Sequence, residues 1–419
     1  MSSSQASLRS SNPILLVIPS VGAARDGDFV VLDQKLLTGW TFFASHWPGR
    51  TRFLFREIDP KELTFGKRCR AQDLPGDIEF VRAIENIPDA SLSAASVILG
   101  AGDSFDSFEL AKRSRRLGTP LCYVIEYTLA TRLRIEAERP RSLVRKARTM
   151  VWLIGQERRR RAAFRAAAAL QANGVPAADA YRNTTKDLLT YFDTRLFRAM
   201  AATDDEIHAR IAHLGQEGPL RLAFTGRLEP LKGAHHLIPV ARHLLDLGVD
   251  FRLDVYGSGS LQTGMEKELE GDARLRNHVT IHKPIDFTTE LVPLLRSSVD
   301  LFVCCHIQGD PSCTYSETLG CGVPIVGYDN EAWRGMLRGA DLGWSVKLGD
   351  SRALAAKIAS LEGDRASIAA AMWRARDFGR DHCFEEVFET RIRHLEALAA
   401  AAVDRATRDG NNRPVAELV

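Results

Sequence analysis

The sequence lacks the features that mark disulfide-rich, metal-binding and membrane-spanning proteins. Its seven cysteines are odd in number and mostly set in apolar runs, which favours reduced thiols over a disulfide framework. No Cys-x-x-Cys and no His and Cys pair at zinc spacing is present, so we expect no structural metal. No uncharged apolar stretch reaches the roughly 18 residues of a membrane span. We therefore expect a cytoplasmic protein that does not cross a membrane.

An excess of charge of one sign is also absent. The 56 basic and 53 acidic residues leave a net charge of +3, which does not by itself indicate nucleic acid. Hydrophobic residues make up 45% and charged residues 26% of the chain, which is typical of a globular protein. A length of 419 residues is about twice the usual upper size of one compact core and predicts two domains.

The second half of the sequence has the pattern of a parallel sheet wrapped by helices. Short β-rich apolar runs alternate there with longer segments of helical period. The predicted strands are Leu220–Thr225, Phe251–Tyr256, Val279–His282 and residues 299–304, 324–328 and 344–348. This pattern predicts a doubly wound domain of Rossmann type.

The first half repeats this pattern less clearly. Strands are predicted at residues 14–19, 52–56, 78–81, 96–100 and 121–125, and helices at 32–45 and 105–116. Because open α/β sheets bind ligands beyond the carboxyl ends of their strands, we expect two Rossmann-like doubly wound α/β domains facing a central cleft. The predicted order is a disordered leader (1–12), the first domain (13–203), a polar linker (204–218), the second domain (219–376), a closing helix (377–403) and a disordered tail (404–419).

Two cations follow the first strand of the second half. In GRLEPLKG (residues 226–233), Arg227 and Lys232 stand five residues apart on a turn that opens a helix. A helix N-terminus favours an anion, Arg227 can bind its oxygens bidentately, and Lys232 adds a point charge. The pattern favours a diphosphate ligand, with solvated loop charges as the alternative.

Two further strand ends carry candidate binding residues. Gly257 and Gly259 permit a tight turn and a close backbone approach by a ligand. After the fourth strand, Asp310 is the predicted N-cap of a helix in which Glu317 can accept two hydrogen bonds from a diol such as ribose. A surface glutamate in the first turns of a helix is the alternative. The N–H groups predicted to point into the cleft are those of Ser312, Cys313 and Thr314.

Together these motifs resemble glycosyltransferase family four, the retaining nucleotide-sugar enzymes of GT-B fold. The matching pieces are GRLEPLKG, YGSGS and SETLGCGVPIVGYD, which occur in order at predicted strand ends. The resemblance implies that Arg227 and Lys232 bind the donor diphosphate, that Glu317 binds ribose, and that neither a cofactor nor a metal is needed. It also implies that the nucleotide base lies against the backbone of Lys283, Pro284 and Ile285.

The sequence departs from the family pattern at one acidic position. The family usually carries a first Glu eight positions before the second, and that position is Gly309 here. Either the neighbouring Asp310 reaches the donor sugar, with His306 as another polar group, or the contact is lost and the chain binds nucleotide without transfer. We favour the first alternative.

The first half departs from the family as well. Where the family often has a His after a cleft-facing strand, this chain has Glu126, which would orient an acceptor hydroxyl or act as a base. A salt-bridged Glu beside the many arginines is the favoured alternative. Gly22, after the first strand, is a candidate for backbone contact with the donor.

Charge is concentrated in residues 132–165. Twelve basic residues against three acidic ones give this stretch a net charge of +9. We favour a helix that packs its apolar stripe on the sheet; a surface helix at anionic lipid is the alternative, and nucleic acid is a weaker one. The apolar stripe consists of Leu143, Ala147, Met150, Val151 and Ile154.

The function that these features predict is sugar transfer with retention. The expected donor is a nucleoside-diphosphate hexose, and the expected acceptor is a hydroxyl group in polysaccharide or glycolipid synthesis, with a lipid-linked acceptor as one alternative. The leaving diphosphate would take the acceptor proton. A catalytically silent nucleotide-sugar binder and a GT-B nucleotide-sugar epimerase are the rival functions.

Overall fold

The computed structural model describes residues 12–63 and 66–411 of the chain. In chain order its strands are β1 (Ile14–Ile18), β2 (Ala24–Asp26), β3 (Phe29–Asp33), β4 (Arg50–Arg56), β5 (Gly66–Arg70), β6 (Asp77–Val81), β7 (Val97–Ala101), β8 (Leu121–Ile125), β9 (Ala169–Asn173), β10 (Leu188–Tyr191), β11 (Leu220–Thr225), β12 (Phe251–Tyr256), β13 (Val279–His282), β14 (Leu301–Cys304), β15 (Ile325–Tyr328) and β16 (Gly343–Val346).

Helices connect most of these strands. They are α1 (Gln34–His46), α2 (Asp89–Ser93), α3 (Glu109–Leu117), α4 (Leu129–Glu138), α5 (Leu143–Ala166), α6 (Gly174–Tyr181), α7 (Asp204–Leu214), α8 (Leu237–Asp246), α9 (Gln262–Gly271), α10 (Val292–Ser298), α11 (Cys313–Gly320), α12 (Glu331–Gly339), α13 (Ser351–Glu362), α14 (Arg365–Asp381) and α15 (Phe384–Asn411).

The first half is built on a seven-stranded parallel sheet in the order β10-β9-β8-β7-β1-β4-β6. Apolar residues of α1 and α15 cover one face, and those of α2, α3 and α5 cover the other. All five strands predicted from the sequence are present. The fully buried β9 was missed because its sequence, ALQAN, has none of the β-branched residues that mark a strand.

Two strands of a small antiparallel sheet, β2 and β3, precede α1 in place of the start of the predicted helix, and the third strand, β5, follows β4. The order in this sheet is β2-β3-β5, and β3 occupies part of the segment predicted as helix 32–45. The helix begins at Gln34, since the Asp33 side chain accepts a hydrogen bond from the Leu36 N–H at 3.0 Å.

The second half is a six-stranded parallel sheet in the order β13-β12-β11-β14-β15-β16. Its strands match the predicted ones to within two residues at each end. The chain order reverses between β11 and β14, so their carboxyl ends form the switch point at which such sheets bind ligands. The two Rossmann-like domains predicted from the sequence are thereby confirmed.

The segment predicted as a polar linker is largely helical and belongs to the second half. Ile207 and Leu214 of α7 lie in the core of that half. The buried guanidinium of Arg210 donates to the carbonyls of Leu295 and Val299, both at 3.0 Å. These bonds fix α7 against the second sheet.

The end of the chain returns to the first half. The predicted closing helix is divided, because α14 ends at Asp381 and α15 begins at Phe384. Residues 404–411 of the predicted disordered tail are helical, so that prediction is wrong for them. The remainder of the tail, 412–419, and residues 1–11 of the predicted leader lie outside the described residues.

The two halves contact each other along one side of the cleft between them. A Cβ at Gly335 of α12 would lie 2.6 Å from the Val175 side chain of α6, so the two helices pack closely. Arg338 and Asp179 form an ion pair at 2.5 Å across the same contact. Glycine at position 335 thus permits the approach of the halves.

Helix α5 does not bury the predicted apolar stripe. The relative exposure of Leu143 is 82%, that of Val151 is 71% and that of Ile154 is 47%. The side of the helix that faces the protein instead carries Arg160, which is 1% exposed and donates to the Gly102 carbonyl at 3.0 Å. The favoured expectation, a stripe packed on the sheet, is therefore wrong. Within the described part of the chain, no helix combines the length and apolar character of a membrane span.

Candidate active site

The carboxyl ends of the two sheets face each other across the cleft. Lys35, in the first turn of α1, places its Nζ 3.0 Å from the Cys313 Sγ at the start of α11. Arg134 of α4 donates to the Ile307 carbonyl, beyond β14, at 3.0 Å. These contacts place the loop after β14 against the first half.

The glycines at the strand ends hold the loops of the second half together. Gly233 has a φ of +65°, and a Cβ there would lie 1.8 Å from the Cys305 carbonyl oxygen. A Cβ at Gly257 would lie 1.9 Å from the Gly226 oxygen, and one at Gly259 would lie 2.5 Å from the Leu228 oxygen. Both glycines of the YGSGS motif therefore serve a close approach between two loops of the protein.

The two predicted cations have different surroundings. Arg227 is exposed, whereas Lys232 is buried and lies at the base of the same loop. The Lys232 Nζ is 3.6 Å from the Oδ2 of Asp310, which is also buried. The buried Oδ1 of Asp310 has no hydrogen-bond partner among the described residues. A buried acceptor left unpaired costs about 1–3 kcal/mol, so this oxygen is suited to a ligand hydroxyl.

His306 lies two residues beyond the end of β14 and contacts two aromatic rings. Its ring centroid is 5.5 Å from that of Tyr315 and 6.2 Å from that of Phe224. Burial, with the charge of Lys232, holds the pKa of His306 well below its ordinary value, so the imidazole is neutral. Both ring nitrogens lack a partner within the described residues, which makes His306 a second unsatisfied polar group beside Lys232.

Helix α11 begins two residues later than the sequence indicates. Ser312 is its N-cap, and the Asp310 side chain faces Lys232, so the prediction of Asp310 as N-cap is wrong. Pro311 instead packs on the first half at Gly174. Burial raises the pKa of the Cys313 thiol to about 12, which keeps it protonated beside Lys35. Thr314 accepts a hydrogen bond from the Ser312 hydroxyl at 3.1 Å.

Glu317 is buried and paired with an arginine that the sequence analysis missed. Arg195, in the segment after β10, binds it bidentately, with Nε to Oε1 at 2.7 Å and Nη2 to Oε2 at 2.9 Å. The guanidinium also lies over the Phe287 ring at 4.1 Å. Glu317 is therefore not a surface residue, and its carboxylate is held in one orientation.

The space beside Gly309 is occupied by a second bidentate pair. A Cβ at Gly309 would lie 2.1 Å from the Oε2 of Glu331. Arg134 binds both oxygens of Glu331, at 3.0 and 3.1 Å, and links α12 to the first half. A side chain at position 309 has no room unless this pair moves.

We expect that replacing Gly309 with glutamate, the residue usual in the family, lowers the stability of the fold. Gly309→Glu brings a second carboxylate against Glu331 and should lower the free energy of unfolding by about 1–3 kcal/mol. Chemical denaturation of the variant measures this loss. The double variant Gly309→Glu, Glu331→Ala should recover part of the lost stability. If Gly309→Glu alone is as stable as the native chain, Glu331 does not block a side chain at position 309.

Glu126 follows β8 and faces the cleft. Its N–H donates to the Asp103 Oδ2 at 2.7 Å, and no hydrogen bond or ion pair in the described part of the chain reaches its carboxyl group. The expected arginine pairing is wrong for Glu126, since Asp103 receives Arg132 at 2.8 Å and Arg160 at 2.6 Å instead. Burial, then the charge of Asp103, raises the pKa of Glu126 to about 8.

The remaining candidates lie at the margins of the cleft. A Cβ at Gly22 would lie 2.6 Å from the Arg56 carbonyl oxygen, so this glycine is required by packing on the strand β4. Beyond the edge strand β13, Lys283 and Pro284 are exposed and Ile285 is partly buried. That strand ends in His282, whose ring stacks on Tyr256 with centroids 4.4 Å apart.

Comparisons with known proteins agree with this architecture. Residues 206–377 match the family described as Glycosyl transferases group 1. The structure resembles HepE of Anabaena in complex with UDP, at 15% identity, a TM-score of 0.62 and coverage of 92% of this chain and 99% of that chain.

Two further solved structures share the fold over nearly their whole length. A glycosyltransferase from Rickettsia africae has 10% identity and a TM-score of 0.58, and the match covers 92% of this chain and 98% of that one. Sucrose-phosphate synthase from Thermosynechococcus elongatus has 15% identity and a TM-score of 0.56, over 96% and 100% of the two chains. No curated protein matches by sequence. These likenesses show the GT-B fold.

Proposed function

We propose that this chain, whose residues 206–377 match the group 1 glycosyltransferase family, transfers a hexose from a nucleoside-diphosphate sugar to a hydroxyl acceptor with retention. The observation that carries the proposal is the buried pair of Lys232 and Asp310, with one carboxylate oxygen unpaired, at the switch point of the second sheet. A cation for the leaving phosphate and an acceptor for a sugar hydroxyl are thus held together.

In this proposal the second half holds the donor. Lys232, Arg227 and the N–H groups at the start of α11 bind the diphosphate. Asp310 accepts a hydrogen bond from a sugar hydroxyl, and Glu317 accepts bonds from the ribose. The base lies against residues 283–285, and the neutral His306 supports the loop between Lys232 and Asp310.

The chemical step follows from this placement. The bond between the anomeric carbon and the diphosphate oxygen breaks, and the acceptor oxygen bonds to that carbon on the same face. The acceptor proton passes to the departing phosphate oxygen, whose growing charge Lys232 and Arg227 stabilise. Glu126, from the first half, orients the acceptor hydroxyl.

Donor binding and turnover test this proposal and separate it from its rivals. Because HepE was crystallised with UDP and UDP-glucose, UDP-glucose is the first donor to examine. Calorimetry should show binding, and slow release of UDP should follow. Binding without UDP release would favour the silent binder, and conversion of the bound sugar into an epimer would favour the epimerase.

The raised pKa of Glu126 predicts the pH dependence of acceptor use. The deprotonated carboxylate is a stronger hydrogen-bond acceptor for the acceptor hydroxyl than the protonated group, so acceptor-dependent kcat/KM should rise with pH through about 8. Glu126→Gln should flatten this rise without changing donor affinity. A pH profile of both proteins with the same acceptor measures it, and an unchanged rise in the variant would contradict the role.

Rising pH should lower the stability of the fold through Glu126, although it raises the use of the acceptor. The ordinary pKa of 4.5 applies to the unfolded chain and the raised pKa of about 8 to the folded one, so the folded state holds a proton that the unfolded state releases. The free energy of unfolding should therefore fall as pH rises from 4.5 to 8. Glu126→Gln should remove this contribution, which urea titrations at several pH values would show.

We also propose that α5 holds the enzyme on an anionic membrane surface at the cytoplasmic face. Its exposed apolar residues, such as Leu143, Val144 and Val151, lie on the same helix as the exposed Arg145 and Arg148. Apolar insertion and attraction to anionic headgroups act together in such helices. A lipid-linked acceptor would then be reached without leaving the surface.

Liposome flotation should detect this binding. The chain should float with vesicles containing anionic lipid and remain behind with neutral ones. Arg145→Gln with Arg148→Gln should weaken binding by about fivefold for each charge removed, as expected for about 1 kcal/mol per basic side chain. Arg252→Gln with Arg276→Gln removes the same charge from exposed sites of the second half and should have little effect. Equal loss in both variants would contradict a role for α5.

A further inference from the structure

A cavity of about 330 Å³ lies inside the first half, between the sheet and the helices α1 and α15. It begins at the carboxyl ends of β1, β7, β8 and β10 and extends below them into the domain. Its position differs from that of the phosphate and ribose residues, all of which belong to the second half. The proposed donor site therefore does not account for this space.

The inner walls of the cavity are mostly apolar. Strands contribute Val17, Phe53 and Leu99, while α1 contributes Trp40 and Phe43. An apolar wall favours an apolar occupant, because each buried methylene is removed from water and no hydrogen bond of the occupant is lost. Leu36, Val124, Tyr191, Phe384 and Phe388 also line the cavity, together with the buried Arg391, whose guanidinium lies over the rings of Tyr191 and Phe388.

The mouth of the cavity is polar and opens toward the second half. Lys35, Asp193 and Glu126 lie there, and Lys35 is in contact with Cys313 of the opposite domain. The Lys35 Nζ is fixed to the Asp193 Oδ2 at 2.5 Å. Asp193 is thus engaged, whereas no residue in the described part of the chain bonds to the Glu126 carboxyl group.

This order of groups, apolar inside and polar at the mouth, matches an amphiphilic ligand. We propose that the cavity binds the apolar part of the acceptor, an alkyl or aryl group whose hydroxyl lies at the mouth beside Glu126. The inference rests on the proposed function and adds to it a substrate class, namely hydroxyl acceptors that carry an apolar group. Acceptors that are polar throughout would leave the inner cavity unfilled.

Alcohols of graded length test this assignment without knowledge of the natural acceptor. With UDP-glucose as donor, kcat/KM for UDP release should rise from propan-1-ol to hexan-1-ol by about fourfold per methylene until the cavity is filled. Hexane-1,2,6-triol, which has the same number of carbons, should be a poor substitute. Equal stimulation by hexan-1-ol and the triol would overturn the inference.

Two matched variants test whether the dependence on alcohol chain length arises in the cavity. Leu99→Phe fills the inner cavity and should abolish the dependence on chain length, whereas Leu247→Phe makes the same exchange at an exposed site and should leave it unchanged. The affinity for UDP, measured by calorimetry, should be the same in all three proteins, which shows that Leu99→Phe folds and binds the nucleotide in the second half. Retention of the chain-length dependence in Leu99→Phe would overturn the assignment.

A binding measurement separates this inference from the proposed function. In saturation-transfer NMR without donor, hexan-1-ol should receive magnetisation from the native chain and from Leu247→Phe but not from Leu99→Phe. That result, together with no UDP release under any condition, would retain the cavity as a binding site while contradicting sugar transfer. Saturation transfer from all three proteins alike would overturn the cavity assignment.

Discussion

Replacing Lys232 with methionine should lower kcat for sugar transfer by about 10²- to 10³-fold. This is the loss expected when one preorganised group that stabilises developing charge is removed. Lys232 is buried in the 226–233 loop, whereas Arg227 of the same loop is exposed. Initial rates of UDP release from UDP-glucose, measured at saturating donor, would show the loss in kcat.

The control for this variant addresses stability. Lys232→Met leaves the buried carboxylate of Asp310 without its cation, and removing one member of a buried pair costs about 3–5 kcal/mol. The double variant Lys232→Met, Asp310→Asn has no uncompensated charge and should recover much of the stability while remaining inactive. A double variant that regains activity would contradict the role of Lys232 in binding the leaving phosphate.

Replacing Glu317 with glutamine should weaken the binding of UDP by about 10- to 100-fold. Hydrogen bonds to a charged group contribute about 1.5–3 kcal/mol, and glutamine offers a diol one neutral acceptor oxygen in place of the two charged oxygens of the carboxylate. The effect should appear in donor affinity, because the ribose does not change during the reaction. Isothermal titration with UDP measures this directly.

Arg195→Met provides the matched comparison for Glu317. Arg195 orients the carboxylate through two bonds but, in this account, does not contact the ribose. The variant should lose less UDP affinity than Glu317→Gln. If Arg195→Met weakens UDP binding as much or more, the ion pair and not the carboxylate is the important group, and the ribose assignment to Glu317 is wrong.

The second half was predictable because its signals are local. Each strand is a short apolar run, and Arg227 and Lys232 are fixed in place by their distance from the end of β11. The need for glycine at positions 257 and 259 was also predictable from the turn after β12. The sequence suggested that these glycines admit a ligand, whereas the structure shows them packed against another loop. Gly257 and Gly259 allow their loop to pack against the backbone of residues 226–228. This contact depends on the three-dimensional arrangement of the two loops and cannot be read from the sequence.

The partners across the cleft were not predictable in this way. Arg195 and Glu317 are 122 residues apart, and Arg134 and Glu331 are 197 apart. Neither arginine stands in a motif, and many arginines of this chain are exposed. The pairing depends on how two domains approach each other, and that information is not contained in local periodicity.

Helix α5 shows the limit of periodicity most clearly. The spacing of Leu143, Val151 and Ile154 correctly indicates a helix, but it does not decide which side of the helix packs on the protein. Arg160 is buried because Asp103, Gly102 and Tyr181 supply its acceptors at the end of β7 and on α6. A guanidinium with its acceptors satisfied can occupy a core position that a hydrophobic residue would usually take.

The central claim is that the site of Lys232 and Asp310 transfers a sugar with retention. Time-resolved proton NMR of UDP-glucose incubated with the chain tests it most directly, with water as the acceptor. The account predicts that UDP and the α anomer of glucose appear together at first, and that both disappear in Lys232→Met. First appearance of the β anomer, or UDP-glucose that binds and stays intact, would contradict it.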